Sequence, residues 1–270
     1  MEFYDAHCHL QDARLEPHLD DLQKRYNRFG VGGAVVNGTG EGDWHQVARL
    51  CQRYSFLKPS FGLHPWRVNE ASGRWKESML ERLDQFPQAG VGEIGLDRWI
   101  QGYDLEKQEE AFVWQLRIAA ERNLPVSIHC LKAWGWMLEV LQRVELPSRG
   151  FLLHSYGGSS EMVEAFADLG AYFSVSAYFA FERKAKQRDA FRKVPLDRLL
   201  IETDAPDMKG PDQYVSETLE ADITLNSPLN IVGVYEFSAD LLEVPLEDLK
   251  QKVGTNYCRF FGIKMGPTEL

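Results

Sequence analysis

Near the start of the chain, Asp5-Ala6-His7-Cys8-His9 sets two imidazoles one residue apart. On a strand, alternate side chains share a face, so His7 and His9 converge while Cys8 turns away into packing. Neutral imidazole is the commonest protein ligand for divalent metals. A histidine pair of this kind also arises by chance, so the reading depends on further donors at matching places. Glu93 lies in Val91-Gly92-Glu93-Ile94-Gly95-Leu96-Asp97, where glycines permit close approach of backbone and ligand. His129 ends the apolar run Leu124 to Ile128, His154 ends Phe151-Leu152-Leu153, and Asp204 follows Leu199 to Thr203 and precedes Ala205-Pro206. Alone, such a glutamate is a solvated charge and such a histidine holds a core carbonyl. Together, four histidines and two carboxylates form the nitrogen and oxygen donor set of Zn, Mg or Mn. Six donors exceed what one catalytic zinc takes from protein, which predicts two divalent metal ions sharing Glu93 as a bridge. Such a pair acidifies a shared water, and Asp204, beside one ion, would take its proton; Glu93 and Asp204 are therefore the expected catalytic carboxylates.

These donors need a scaffold that ends many strands at one place. Short apolar runs occur near Phe3 to Ala6, Val31 to Asn37, Pro59 to Leu63, Ala89 to Ile94, Leu124 to His129, Gly150 to His154, Ala171 to Val175 and Arg198 to Glu202. Amphipathic stretches of helical length separate them, as in Asp43 to Tyr54 and Leu105 to Arg122. Eight strand–helix units in about 250 residues predict an α/β fold, a (β/α)₈ TIM barrel, whose active sites lie at the C-terminal ends of the strands. The six donors fall at those ends. Leu229 to Phe261 reads as two closing helices broken at Val244-Pro245. No linker or repeat divides the chain, so one domain is expected over residues 1–265, with a tail at 266–270.

Composition is that of an ordinary globular enzyme: 44% hydrophobic and 26% charged. No apolar run approaches the roughly 20 residues that cross a bilayer, and the first ten residues carry acids and histidines where a signal peptide needs basic and apolar stretches. A cytoplasmic protein with no membrane partner is expected, its four scattered cysteines free. The net charge of −10 argues against general attraction to polyanions, so a nucleic-acid substrate would have to be held locally.

The segments Asp5 to Leu10, Gly62-Leu63-His64-Pro65, Gly92 to Asp97, Ile128-His129 and Glu202 to Pro206 resemble, in order, the motifs of the TatD family of metal-dependent deoxyribonucleases. Gln108, Phe112 and Gln115 fit that family's helix, and Asn256 to Gly262 resembles its closing helix, so the likeness spans nearly the whole chain. The resemblance implies an amidohydrolase-like barrel and largely exonucleolytic DNA hydrolysis with divalent metals. It implies one metal on His7, His9, Glu93 and Asp204, a second on Glu93, His129 and His154, and His64 facing the substrate. Two departures stand out. Leu131, followed by Lys132, replaces the arginine usual two residues after the fifth-strand histidine, which removes or moves a phosphate contact. Ser155-Tyr156-Gly157-Gly158 replaces the frequent Cys-Phe-Ser-Gly.

Position adds a further expectation. Trp66, Trp99, Trp134 and Tyr156 each follow a strand end and would form an aromatic rim on which the bases of a single-stranded DNA end stack, while Arg67, Arg98, Lys132 and Lys209 would supply local positive charge. Loop packing is the competing account of the aromatics. A single-stranded end trimmed from its 3′ side is the expected substrate, with no obligate protein partner. The alternatives are hydrolysis of a small ester, lactone or amide on the same metals, or a non-catalytic metal-binding scaffold.

Overall fold

The computed structural model describes residues 1–220 and 222–263; the expected tail lies outside them. Eight parallel strands follow one another in chain order: β1 (Phe3–Cys8), β2 (Val31–Asn37), β3 (Leu57–Phe61), β4 (Gly90–Asp97), β5 (Val126–Leu131), β6 (Phe151–Leu153), β7 (Ala171–Val175) and β8 (Leu199–Ile201). Between β8 and β1 the ring is drawn together by Asp204 N–H to His7 O at 3.0 Å and His9 N–H to Ala205 O at 2.7 Å. The architecture is the (β/α)₈ barrel expected from the strand–helix alternation.

Seven helices run outside the first seven strands: α1 (Leu22–Phe29), α2 (Trp44–Arg53), α3 (Trp75–Gln85), α4 (Leu105–Arg122), α5 (Trp134–Arg143), α6 (Val163–Asp168) and α7 (Ala185–Phe191). Two more follow β8, α8 (Ile231–Leu242) and α9 (Leu246–Phe261), parted at Val244-Pro245 as the helix-stop pattern predicts. Tyr257, Cys258, Phe260 and Phe261 of α9 pack on Ala6, Val35, Leu152, Tyr172 and Leu200. Tyr257 stacks on Tyr4 and Phe260 lies against Tyr172, both at strand starts, so α9 covers the end of the barrel opposite the site.

The longest outer helix does more than pack. Asp104 caps α4, accepting from Lys107 N–H at 3.1 Å, and Asn123 ends it in the left-handed conformation. Seven residues apart, and therefore on one face, Gln108 and Gln115 are both buried. Gln115 Oε1 accepts from Leu63 N–H at 2.7 Å and its amide donates to Leu63 O at 3.2 Å. Gln108 does the same for Asp97, at 2.8 and 3.0 Å. These clamps satisfy backbone groups where β3 and β4 run out, and so place His64 and Asp97. The β4–β5 pair comes close enough to need glycine at 95: at φ +148°, a Cβ there would sit 1.9 Å from His129 O.

β2 and β7 keep the bounds expected from the sequence; the other strands shift by up to three residues at an end, most at β4, where Glu93 lies mid-strand rather than at its end. The ladder between β4 and β5 shifts register between Val91 and Ile94, the stretch that carries Glu93. All four cysteines are free, and no helix among the described residues is long and apolar enough to cross a membrane.

Replacing Gln115 with leucine strands two buried backbone groups. Stability should fall by about 2–4 kcal/mol, read as a lower denaturant midpoint at unchanged m-value. A change below about 0.5 kcal/mol would mean that Leu63 finds other partners.

Candidate active site

His7 and His9 leave β1 pointing the same way, their Nε2 atoms 3.2 Å apart. The far side of each ring is tied down: His7 Nδ1 lies 2.7 Å from Ser127 Oγ, and His9 Nδ1 lies 2.8 Å from the Asn37 carbonyl. A carbonyl can only accept, so His9 Nδ1 carries the hydrogen and neutral His9 presents a bare Nε2. Asp204 joins them from the loop after β8, held at φ +54°, where a non-glycine residue is uncommon. Its Oδ1 is 3.4 Å from His9 Nε2 and 3.6 Å from His7 Nε2. Buried Asp5 braces this corner by accepting from His7 N–H, Thr203 N–H and the Thr203 hydroxyl at 3.2, 3.0 and 2.5 Å; burial nonetheless pushes its pKa up to about 8.

Glu93, 3% exposed, divides the centre in two. Its Oε2 faces His9 Nε2 at 3.3 Å and His7 Nε2 at 3.5 Å. Its Oε1 faces His154 Nε2 at 2.8 Å, His129 Nδ1 at 3.0 Å and His64 Nε2 at 3.3 Å. His129 Nε2 donates to Asp97 Oδ2 at 2.8 Å, which leaves its Nδ1 bare toward Glu93. Behind His154, Glu202 Oε1 stands 3.5 Å from Nδ1, a buried nitrogen with no hydrogen-bond partner. Glu202 is itself held by the hydroxyls of Ser155 and Ser174. His64 differs from the others. Its Nδ1 accepts from Trp66 N–H at 3.1 Å, so its Nε2 carries the hydrogen and presents a donor, not a lone pair.

Charges follow from this crowding. Burial alone would raise Glu93, but His64, His154 and the hydrogen bonds of His129 outweigh it and hold the carboxylate well below its usual range. Burial works against protonated His9, yet Asp204 and Glu93 keep its pKa well above the histidine norm; Glu93 and Glu202 do likewise for His154. For His7, burial and neighbouring His154, stacked on it at 4.1 Å, prevail and lower the pKa. Burial takes His64 down to about 4, so it stays neutral. Against the effect of its own burial, the hydrogen bond with His129 holds Asp97 at about 2.

Bare imidazole nitrogens and carboxylate oxygens thus face one another at 2.8–3.6 Å. Neutral rings and ionised carboxylates repel across such gaps unless a proton or a cation lies among them. The donor chemistry suits a divalent cation: His7, His9 and Asp204 offer three ligand atoms within 4.8 Å of one another, as do His64, Glu93 and His129. The protonated Nε2 removes His64 from the second set, and His154 is better placed to complete it.

The centre forms the floor of an open cleft of about 1100 Å³. Of the residues expected at its rim, Trp66 and Trp99 line it, 42% and 56% exposed, with ring centroids 6.4 Å apart. Tyr156 and Trp134 do not. Tyr156 is fully buried, its hydroxyl donating to Ser159 O and its ring set among Phe166, Phe173 and Phe191; Trp134, half-buried, packs edge-on against it. A ring that finds an apolar neighbour gains more by burial than on a wet rim. The expected cations scatter as well: Arg67 lines the cleft, Arg98 lies over Trp136, Lys209 bonds Ile223 O, and exposed Lys132 is outside the cleft walls, whereas Leu131 is part of them. The residues that sequence reasoning missed are those behind the rings, namely Asp97, Ser127, Asn37 and Glu202. A signal existed for one: Asp97 is four residues after Glu93, an even spacing within β4.

The family model for TatD related DNase matches residues 4–262. The chain belongs to the TatD family. Over 263 residues, covering 97% of this chain and 98% of the relative, this TatD-family protein is 33% identical to the uncharacterized metal-dependent hydrolase YjjV of Escherichia coli K12. The crystal structure of E. coli YjjV superposes with a TM-score of 0.88 at 29% identity, covering 97% of this chain and 98% of that one. A further relative, the 3'-5' ssDNA/RNA exonuclease TatD of Shigella flexneri, is 32% identical over 204 residues, 75% of this chain and 78% of its own. The protein is a metal-dependent hydrolase of the TatD family.

Metal and proton compete for the same nitrogens. With His9 and His154 holding protons above the usual histidine range, metal affinity should fall as pH drops, the decline already under way above about 6.5. Titration of metal into chelator-stripped protein across roughly pH 5–8 measures this; flat affinity would remove these rings from the ligand set. Asp97→Asn, which weakens the support behind His129, should cost about 10- to 100-fold in metal affinity.

Proposed function

We propose that this protein is a two-metal phosphodiesterase trimming the 3′ ends of single-stranded nucleic acid, DNA first among them. The observation that carries the reading is Glu93, whose two carboxylate oxygens face separate donor groups on the floor of an open cleft. His7, His9, Asp204 and Oε2 of Glu93 would hold one divalent ion, and Oε1 with His129 and His154 the other; of the three expected metals Zn suits four imidazoles best and Mg, which prefers oxygen, least. Bound there, such ions supply Lewis acidity, lowering the pKa of water and neutralising phosphoryl oxygens.

The chain's own groups have distinct tasks. Asp204, its carboxyl held below the usual range against burial by its hydrogen bond with His9, stays ionised and reaches the cleft, placed to accept the proton of an attacking water. His64, neutral, aims an N–H from the cleft wall and can donate to a substrate oxygen. Trp66 is fixed by its indole N–H on Asp97 Oδ2 at 2.7 Å, so one carboxylate orients both His129 and the first stacking surface. Trp66 and Trp99 offer adjacent ring faces to bases that a paired end cannot present without fraying. The relative from S. flexneri, by its name an exonuclease on ssDNA and RNA, supports the same substrate class.

Two measurements test this. Initial rates on matched oligonucleotides should favour the single strand over the blunt duplex, and Trp99→Ala should raise KM about 5- to 100-fold, the equivalent of one base no longer stacked. A duplex preference, or ester turnover with no cleavage of nucleic acid under any of the three metals, would assign the site to other substrates. Asp204→Asn should lower kcat by about 10²- to 10⁴-fold and move KM little, since its proton is transferred only in the transition state. An unchanged kcat would pass the base role elsewhere.

A further inference from the structure

The cleft has to hold a polyanion within a chain of net charge −10. Beyond the histidine–carboxylate centre its walls carry five acids, Asp12, Glu41, Asp43, Glu70 and Asp207, against three cations, Arg14, Arg67 and Lys184. Arg14 is committed twice, to Asp12 at 2.8 Å and to Asp207 at 2.9 Å, and Arg67 pairs with Glu70 at 2.8 Å. Lys184 alone of the three has no carboxylate within 4.0 Å among the described residues. Its ammonium lies 4.6 Å from the centre of the Tyr178 ring, which also lines the cleft, and Arg183 lies 5.1 Å from the same ring. A cation over an aromatic face is held in place yet keeps its N–H groups free for an anion. Gln187 of α7, the helix that Lys184 immediately precedes, is a further cleft wall residue and adds an amide.

This wall comes from the loop after β7, the one strand of the second half of the barrel that sends no residue to the metal donors. Lys184 makes no ion pair with Glu93 or Asp204, so its charge is available to a group other than the one lying over the centre. From this arrangement, and resting on the nucleic-acid reading above, we propose that Lys184 is the phosphate contact of the cleft. It binds a non-scissile backbone phosphate of the substrate strand, and Tyr178 positions its ammonium.

The test is equilibrium binding of a fluorescein-labelled single-stranded oligonucleotide with phosphorothioate linkages to the metal-loaded protein, across a salt series. Lys184→Ala should weaken binding about 5- to 10-fold and make the slope of log K against log salt shallower by about 0.7–1, as expected when one fewer phosphate is neutralised. Lys184→Arg should restore both, and Lys186→Ala, two residues on in α7 but outside the cleft wall, should change neither. Equal affinity and slope for wild type and Lys184→Ala, or no binding by wild type, overturns the assignment. Tight Lys184-dependent binding without cleavage of a normal phosphodiester would leave the assignment of Lys184 standing and count against the hydrolytic reading alone.

Discussion

The site depends on one buried carboxylate that faces five histidines and is never left to water. Glu93 is inside the barrel mouth, and a charge taken out of water there is tolerated only if it is matched from every side. Five imidazoles supply the match, and each must present the correct nitrogen. That requirement passes outward. His9 is set by the Asn37 carbonyl, His129 by Asp97, and His64 by the backbone of Trp66; Asp97 is set in turn by the clamp of Gln108. Most of the polar groups buried near the strand ends belong to this chain of dependence. The barrel contributes rigid strand ends from which the groups cannot drift apart.

The same logic separates residues of one type into different roles. His64 and His129 both approach Glu93 Oε1 within 3.3 Å, and distance alone would give them one function. Their partners on the far nitrogen do not: a carboxylate behind His129 makes it an acceptor toward the centre, whereas a backbone N–H behind His64 makes it a donor. A neutral donor at the wall beside a floor whose donors suit a cation is a combination that can serve hydrolysis of a phosphate or carboxyl derivative. The outer cleft is built on different principles. Its acids tie up two of its three cations, so free charge there is sparse, and the exposed rings of Trp66 and Trp99 stand at its wall.

What could be read from the chain alone was whatever obeys a short period. Alternation along β1 placed His7 and His9 together, strand–helix repetition implied the barrel, and the rule that barrel sites gather at C-terminal strand ends grouped six donors spread from His7 to Asp204. The family resemblance put Gln108 and Gln115 on the helix that is α4, though not what they hold. The fate of a loop side chain obeys no such period. Trp134 and Tyr156 follow strand ends just as Trp66 and Trp99 do, but they found Phe166, Phe173 and Phe191 within reach, while Trp66 was held at the cleft by Asp97. Which nitrogen each ring turns inward, how Glu93 shares its oxygens, and which cation stays unpaired depend on atoms from distant strands meeting within about 3 Å, the reach of a hydrogen bond. Periodicity along the sequence determined which residues share a face, and only the closed barrel decided what each of them touches.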